Sequence, residues 1–173
     1  MEEAKLRGME GVMMNMTLAS PHPLKKISGI DSVTILLIDD SPDNLMILGD
    51  ILERVGYQVV CAEDGDRGIE QAKRVQPDLI FMDLKMPGLD GCQACERLRA
   101  QENFHLTPII LMSAQSDSTT RELALGAGAS GFWPKPISPE KILNDLPSFL
   151  RRAQSKVASP PKSPELKPTG PIF

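Results

Sequence analysis

Four kinds of group in this chain, taken together, could handle a phosphoryl group. They are a pair of adjacent carboxylates, a single carboxylate, a hydroxyl and an ammonium. Asp39-Asp40 follow the apolar run Ile35-Leu36-Leu37-Ile38, and Asp83 follows Leu79-Ile80-Phe81-Met82. Ser113 follows Ile109-Ile110-Leu111-Met112, and Lys135 closes Gly131-Phe132-Trp133-Pro134. Three carboxylates in one crevice repel each other and need a cation. Oxygen-only ligands select a hard ion, and Mg²⁺ commonly takes one or two carboxylates, waters and a phosphate oxygen. A carboxylate can itself attack phosphorus to give an aspartyl phosphate. Transfer then depends on positioning and charge neutralisation more than on covalent help. Lys135 supplies a point charge for one phosphoryl oxygen and Ser113 a hydroxyl for another. An Asp after a buried strand can also simply cap a turn, so the reading depends on whether these groups meet.

Strands that end at one rim would bring them together. The runs before Asp39 and Asp83 do not alternate, which suits strands buried on both faces of a parallel sheet. Ser41-Pro42-Asp43 reads as an N-cap, a proline at the first helical position and an acidic first turn. Leu45, Leu48, Leu52 and Val55 form a helical stripe that Gly56 stops. Further strands are expected over 58–62, 108–112 and 131–133, and further helices over about 66–75, 91–101, 117–125 and 138–150. Five alternating pairs give a doubly wound α/β fold with a five-stranded parallel sheet in the order 2-1-3-4-5. Its switch point lies between strands 1 and 3, the strands that end in Asp39-Asp40 and Asp83. Pro134 suits an edge strand. Pro147 interrupts the stripe Ile142, Leu146, Phe149 and predicts a kink or restart in the fifth helix.

The 173 residues and net charge of −4 allow one domain with a core and argue against a nucleic-acid surface of its own. The expected division is a poorly ordered arm at 1–31, a domain at 32–150 and a Pro-rich tail or linker at 151–173. The arm carries Met1, Met9, Met13, Met14 and Met16. Gly8, Gly11, Pro21 and Pro23 break any helical pattern that could make it a Met-rich partner-binding helix. Pro160, Pro161, Pro164, Pro168 and Pro171 mark the tail. No apolar run approaches the roughly 20 residues of a membrane span. Three cysteines without a secretory leader fit a reducing cytoplasm.

The motifs Ile38-Asp39-Asp40, Met82-Asp83-Leu84-Lys85-Met86-Pro87-Gly88-Leu89-Asp90-Gly91, Leu111-Met112-Ser113-Ala114 and Lys135-Pro136 agree in type and order with one family. The chain resembles a response-regulator receiver domain of two-component signalling over about residues 32–150. The resemblance implies a flavodoxin-like (βα)5 fold with Asp83 as phosphoacceptor. It implies Mg²⁺ held by Asp39, Asp40, Asp83 and the Lys85 backbone carbonyl, with phosphoryl contacts from Ser113 and Lys135. It makes Ser113 and Phe132 the switch residues, Phe132 turning from solvent toward the strand 4–helix 4 loop while Trp133 faces the other way. Ser113 stands where Thr is more usual and keeps the hydroxyl. The partners implied are a sensor histidine kinase or phosphotransfer protein and a downstream protein, reached through a helix 4–strand 5–helix 5 surface. The domain would catalyse only its own phosphorylation and dephosphorylation. Lys85 and Gln115 flank the family's water path without a carboxylate base, so slow self-hydrolysis is expected.

The same motifs fit a receiver cut from a larger diguanylate cyclase, phosphodiesterase or hybrid kinase. They fit a Mg²⁺-dependent phosphatase with an Asp nucleophile less well, because position 85 is Lys where such enzymes carry a second Asp. A receiver-like module that is never phosphorylated would not need all five site residues. Cys92 and Cys95 have redox spacing but lie one turn apart in a helix already explained. Gly126-Ala127-Gly128-Ala129-Ser130-Gly131 lacks the ending of a phosphate loop. His22 and His105 are isolated.

Overall fold

The computed structural model describes residues 33–157, with side chains placed as far as Arg151. The Met-rich arm, His22 and the Pro-rich tail lie outside the described residues. In chain order the elements are β1 (Thr34–Ile38), α1 (Pro42–Val55), β2 (Gln58–Ala62), α2 (Gly65–Val75) and β3 (Leu79–Asp83). They continue with α3 (Gly91–Arg99), a 3₁₀ turn (Glu102–Phe104), β4 (Ile109–Ser113), α4 (Ser118–Gly126), β5 (Gly131–Pro134) and α5 (Pro139–Val157). All five strands pair in parallel, in the order β2-β1-β3-β4-β5. This is the doubly wound α/β sheet expected from the alternating strands and helices.

The unbroken apolar strands are explained by two cores, one on each face of the sheet. Leu36, Ile38, Ile80, Met82, Leu111 and Phe132 pack on one side, against α2, α3 and α4 residues such as Ala72, Leu98 and Ala124. Ile35, Leu37, Phe81, Ile110, Met112 and Trp133 pack on the other, against α1 and α5 residues such as Leu52, Ile142 and Leu146. Successive side chains of a strand take opposite faces, so each β3 residue from Leu79 to Met82 is fully buried. Each such aliphatic side chain stabilises the fold by about 1.5–3 kcal/mol.

The helix starts follow the capping chemistry in the sequence. Ser41, Asp64, Asp90 and Asp117 each accept a hydrogen bond from a backbone N–H two or three residues into the following helix. Gly56 ends α1 in the left-handed region, at φ 113°, where a Cβ is disfavoured. The helix carrying Pro147 differs from expectation. It neither stops nor restarts there but runs as one element of 19 residues. One lost i→i−4 hydrogen bond does not outweigh the burial of Ile142, Leu146 and Leu150 on a single stripe.

Candidate functional site

β1, β3, β4 and β5 deliver Asp39, Asp83, Ser113 and Lys135 to the carboxyl edge of the sheet. The Asp39 and Asp83 side chains are 3% and 9% exposed and that of Lys135 is 20% exposed. The Lys135 Nζ lies between the two carboxylates. It donates to Asp39 Oδ2 at 2.5 Å and also to Asp83 Oδ1. The outer oxygens are held by backbone: Asp83 Oδ2 accepts from the Lys85 N–H at 2.7 Å, and Asp39 Oδ1 from the Ser41 N–H at 3.0 Å. Asp39 Oδ1 also accepts from Asn44 Nδ2 at 2.9 Å. Both carboxylates are thus turned so that one oxygen of each faces a common point.

One ammonium serves two carboxylates, and the titration of Asp83 and Lys135 reflects that. Burial raises the Asp83 pKa; the hydrogen bond and charge of Lys135 oppose this without cancelling it, and Asp39 adds to the rise. Burial works to lower the Lys135 pKa, but its hydrogen bonds to Asp39 and Asp83 outweigh that and leave it raised. The site therefore favours the charged lysine, while burial keeps the Asp83 carboxyl above its ordinary value.

Asp40 follows Asp39 at the end of β1. It is exposed and borders a separate cleft of about 550 Å³ with Leu84, Lys85, Met86, Pro87, Asp90, Cys92 and Leu123. Among the described residues no three His, Cys, Asp or Glu side chains are grouped closely enough to hold a metal ion. Of the three carboxylates expected at the rim, Asp39 and Asp83 share the Lys135 ammonium and Asp40 is exposed. The remaining donor set still fits a hard cation. Asp39 and Asp83 present oxygens toward one point, where the Lys135 ammonium shows that a cation is accommodated.

Ser113 is buried, and its Oγ accepts from the Gln115 N–H at 3.1 Å. Phe132 corrects another expectation. It is 5% exposed and packed with the α3–α4 core, already inward rather than in solvent. Trp133 takes the opposite face, tilted against Phe81 at 5.1 Å between ring centroids. The sequence reading missed Asn44. Its signal was its place in the first turn of α1, five residues after Asp39 and close enough to return to it. The Lys85 N–H, besides the carbonyl expected at the metal, also enters the site, through its bond to Asp83 Oδ2. Cys95 is buried with its pKa pushed up to about 11, first by burial, so the Cys92-Cys95 pair has no activated thiolate.

The response regulator receiver domain family matches residues 35–146. The chain is 36% identical over 115 residues to the signal transduction histidine-protein kinase BarA of Escherichia coli, covering 66% of this chain but 12% of that protein. It is 34% identical over 116 residues to the protein PilH of Pseudomonas aeruginosa, covering 67% of this chain and 96% of PilH. Its fold is similar to the receiver domain of the sensor histidine kinase PA1611 of Pseudomonas aeruginosa, solved with a magnesium ion coordinated in the active-site cleft. That likeness has a TM-score of 0.65 and 34% identity, over 69% of this chain and 98% of the other.

Proposed function

Since this chain belongs to the response regulator receiver domain family, we propose that it is a phosphorylation switch with Asp83 as the phosphoacceptor. The observation that carries this reading is the Lys135 bridge: two buried carboxylates, each with one oxygen fixed by backbone N–H, share a single ammonium at the switch point of the sheet. A carboxylate oxygen of Asp83 attacks phosphorus of a phosphohistidine in a sensor kinase or phosphotransfer protein. The O–P bond forms as the P–N bond breaks, and the leaving imidazole takes up a proton. Lys135 is close enough to pass from the carboxylate to a phosphoryl oxygen. The Lys85 N–H holds the other Asp83 oxygen so that the attacking one keeps its direction.

Asp39 and Asp83, with Asp40 and the Lys85 carbonyl at the rim, would hold Mg²⁺. When bound, the ion neutralises the charge that repels an incoming phosphate. The Ser113 hydroxyl, whose oxygen accepts from the Gln115 N–H, would donate its own proton to a phosphoryl oxygen and draw the β4–α4 loop inward. Because Phe132 is already inward, phosphorylation would hold that side chain in place rather than turn it in from solvent. A changed α4–β5–α5 surface then controls a downstream protein or an attached output module. No described helix is long and apolar enough to cross a membrane, which fits a cytoplasmic place for this exchange.

The test is incubation with acetyl phosphate, which carries the same phosphoryl group without a protein donor. Wild type with Mg²⁺ should be labelled, and Asp83→Asn, or wild type in EDTA, should not. Equal labelling of the variant would overturn the assignment.

A further inference from the structure

The Met-rich arm takes no part in the phosphoryl chemistry, and neither does an apolar groove beside the site. The groove lies between α1 and the segment after β5 and has a volume of about 340 Å³. Ile47, Leu48 and Ile51 of α1, Met112 of β4 and Ile137 line it, and Asp39 and Lys135 border it. Ile47 is 58% exposed, an aliphatic side chain that filling the groove would bury. We propose that residues 12–18 of the arm dock in this groove, as an intramolecular cover seated on α1 beside Asp39 and Lys135.

Composition and reach both favour the arm as the occupant. Val12, Met13, Met14, Met16 and Leu18 place five apolar side chains in a stretch of seven residues that carries no charge. Methionine's flexible thioether fills irregular apolar gaps, so the docking needs no regular helix. The domain is pinned at the amino end of β1, where the Val33 carbonyl accepts from the Gln58 N–H at 2.9 Å. From there β1 covers about 16 Å and α1 adds one helix layer of about 10 Å, a span on the order of 20 Å. Met16 stands 17 residues before Val33, and a coil of that length has an r.m.s. reach of about 23 Å. A tether whose reach matches the span gives an effective concentration in the millimolar range, so weak apolar contact is enough. The C-terminal tail is worse placed. α5 leaves from beside the groove and carries the chain 19 residues, roughly 28 Å, away before that tail begins.

The test oxidises the intact protein with hydrogen peroxide, which passes one oxygen atom to a methionine Sδ and leaves as water. Peptide mass spectrometry follows each methionine. No phosphodonor is present, so the outcome does not depend on Asp83 being the phosphoacceptor. Met46 is 67% exposed and does not line the groove, so it sets the rate of an uncovered methionine. Met13, Met14 and Met16 should oxidise about fivefold more slowly than Met46, the ratio for an effective concentration roughly four times the intrinsic dissociation constant. Ile47→Asp, which puts a carboxylate on the groove wall, should bring them to the Met46 rate, and Ile47→Ala should give an intermediate rate. The slowing should not change with protein concentration. Arm methionines that oxidise like Met46 in wild type, or that stay slow in Ile47→Asp, would overturn the docking. Slowing that grows with protein concentration would put the arm of a second copy in the groove and overturn the intramolecular cover.

Discussion

Replacing Lys135 with methionine should unfold the site's electrostatics while keeping most of its shape. Methionine matches the lysine stem in length and flexibility but leaves Asp39 and Asp83 facing each other with side chains 3% and 9% exposed. Breaking a buried ion pair by removing one partner costs about 3–5 kcal/mol. Asp83 can limit this by taking up a proton, since burial already raises its pKa, so the lower end, about 3 kcal/mol, is expected near neutral pH. With a urea m-value of about 1–3 kcal/mol/M for a domain of this size, the midpoint should fall by about 1–3 M. The pH sign is fixed. A carboxyl with a raised folded pKa binds more protons folded than unfolded, so stability falls as pH rises through that pKa. The deficit of Lys135→Met should therefore shrink as pH is lowered toward 5. Mg²⁺ should also restore stability, by about 2.7 kcal/mol at 100 times its dissociation constant, and by more than in wild type, where Lys135 competes for the same oxygens. Urea titrations at two pH values with and without Mg²⁺ measure all of this. A midpoint equal to wild type, unmoved by pH or Mg²⁺, would refute the shared-ammonium account.

The converse substitution, Asp83→Asn, should raise the urea midpoint near neutral pH, because the amide oxygen can still accept from the Lys85 N–H while the buried charge is gone; a lower midpoint would contradict the raised Asp83 pKa. Gly91→Ala should both destabilise the fold, by about 1–3 kcal/mol as for overpacking, and weaken Mg²⁺ binding. Its Cβ would lie 2.3 Å from the Asp83 carbonyl oxygen and 2.9 Å from Leu84 Cα, backbone atoms that cannot swing aside; an unchanged urea midpoint would argue against this. Thiol labelling of the native protein should modify exposed Cys61 first, Cys92 more slowly and buried Cys95 only on unfolding. The Cys95 pKa of about 11 further implies that stability falls as pH rises above about 9, where the unfolded thiol ionises first. Fast native labelling of Cys95 would be inconsistent with both.

The sheet was legible because burial on both faces leaves a plain mark, the unalternated runs before Asp39, Asp83 and Ser113, and because Ser41-Pro42 and Gly56 punctuate α1. The rim position of Asp39, Asp83 and Lys135 followed from strand order alone, since the switch point is set by topology. What the residues did not disclose was side-chain direction. The two residues past the end of β1 differ: Asp39 is buried, with Oδ1 held by the first turn of α1, while Asp40 is exposed. The turn geometry that decides this depends on donors, Ser41 N–H and Asn44, whose relevance appears only once α1 is in place. The restart expected at Pro147 failed for another reason: the buried stripe Ile142, Leu146 and Leu150 carries the helix through it. Phe132 was put in solvent from family behaviour, whereas its ring is buried in the same core as Ala124 and Ala127.

The most direct measurement traps the acylphosphate itself. After reaction with acetyl phosphate and Mg²⁺, borohydride reduces an aspartyl phosphate to homoserine, and peptide mass spectrometry locates it. Homoserine at position 83, absent without Mg²⁺ and absent in Lys135→Met, is the expected result. Homoserine at Asp39 or Asp40 with Asp83 unchanged, or at no position, would contradict Asp83 as the phosphoacceptor.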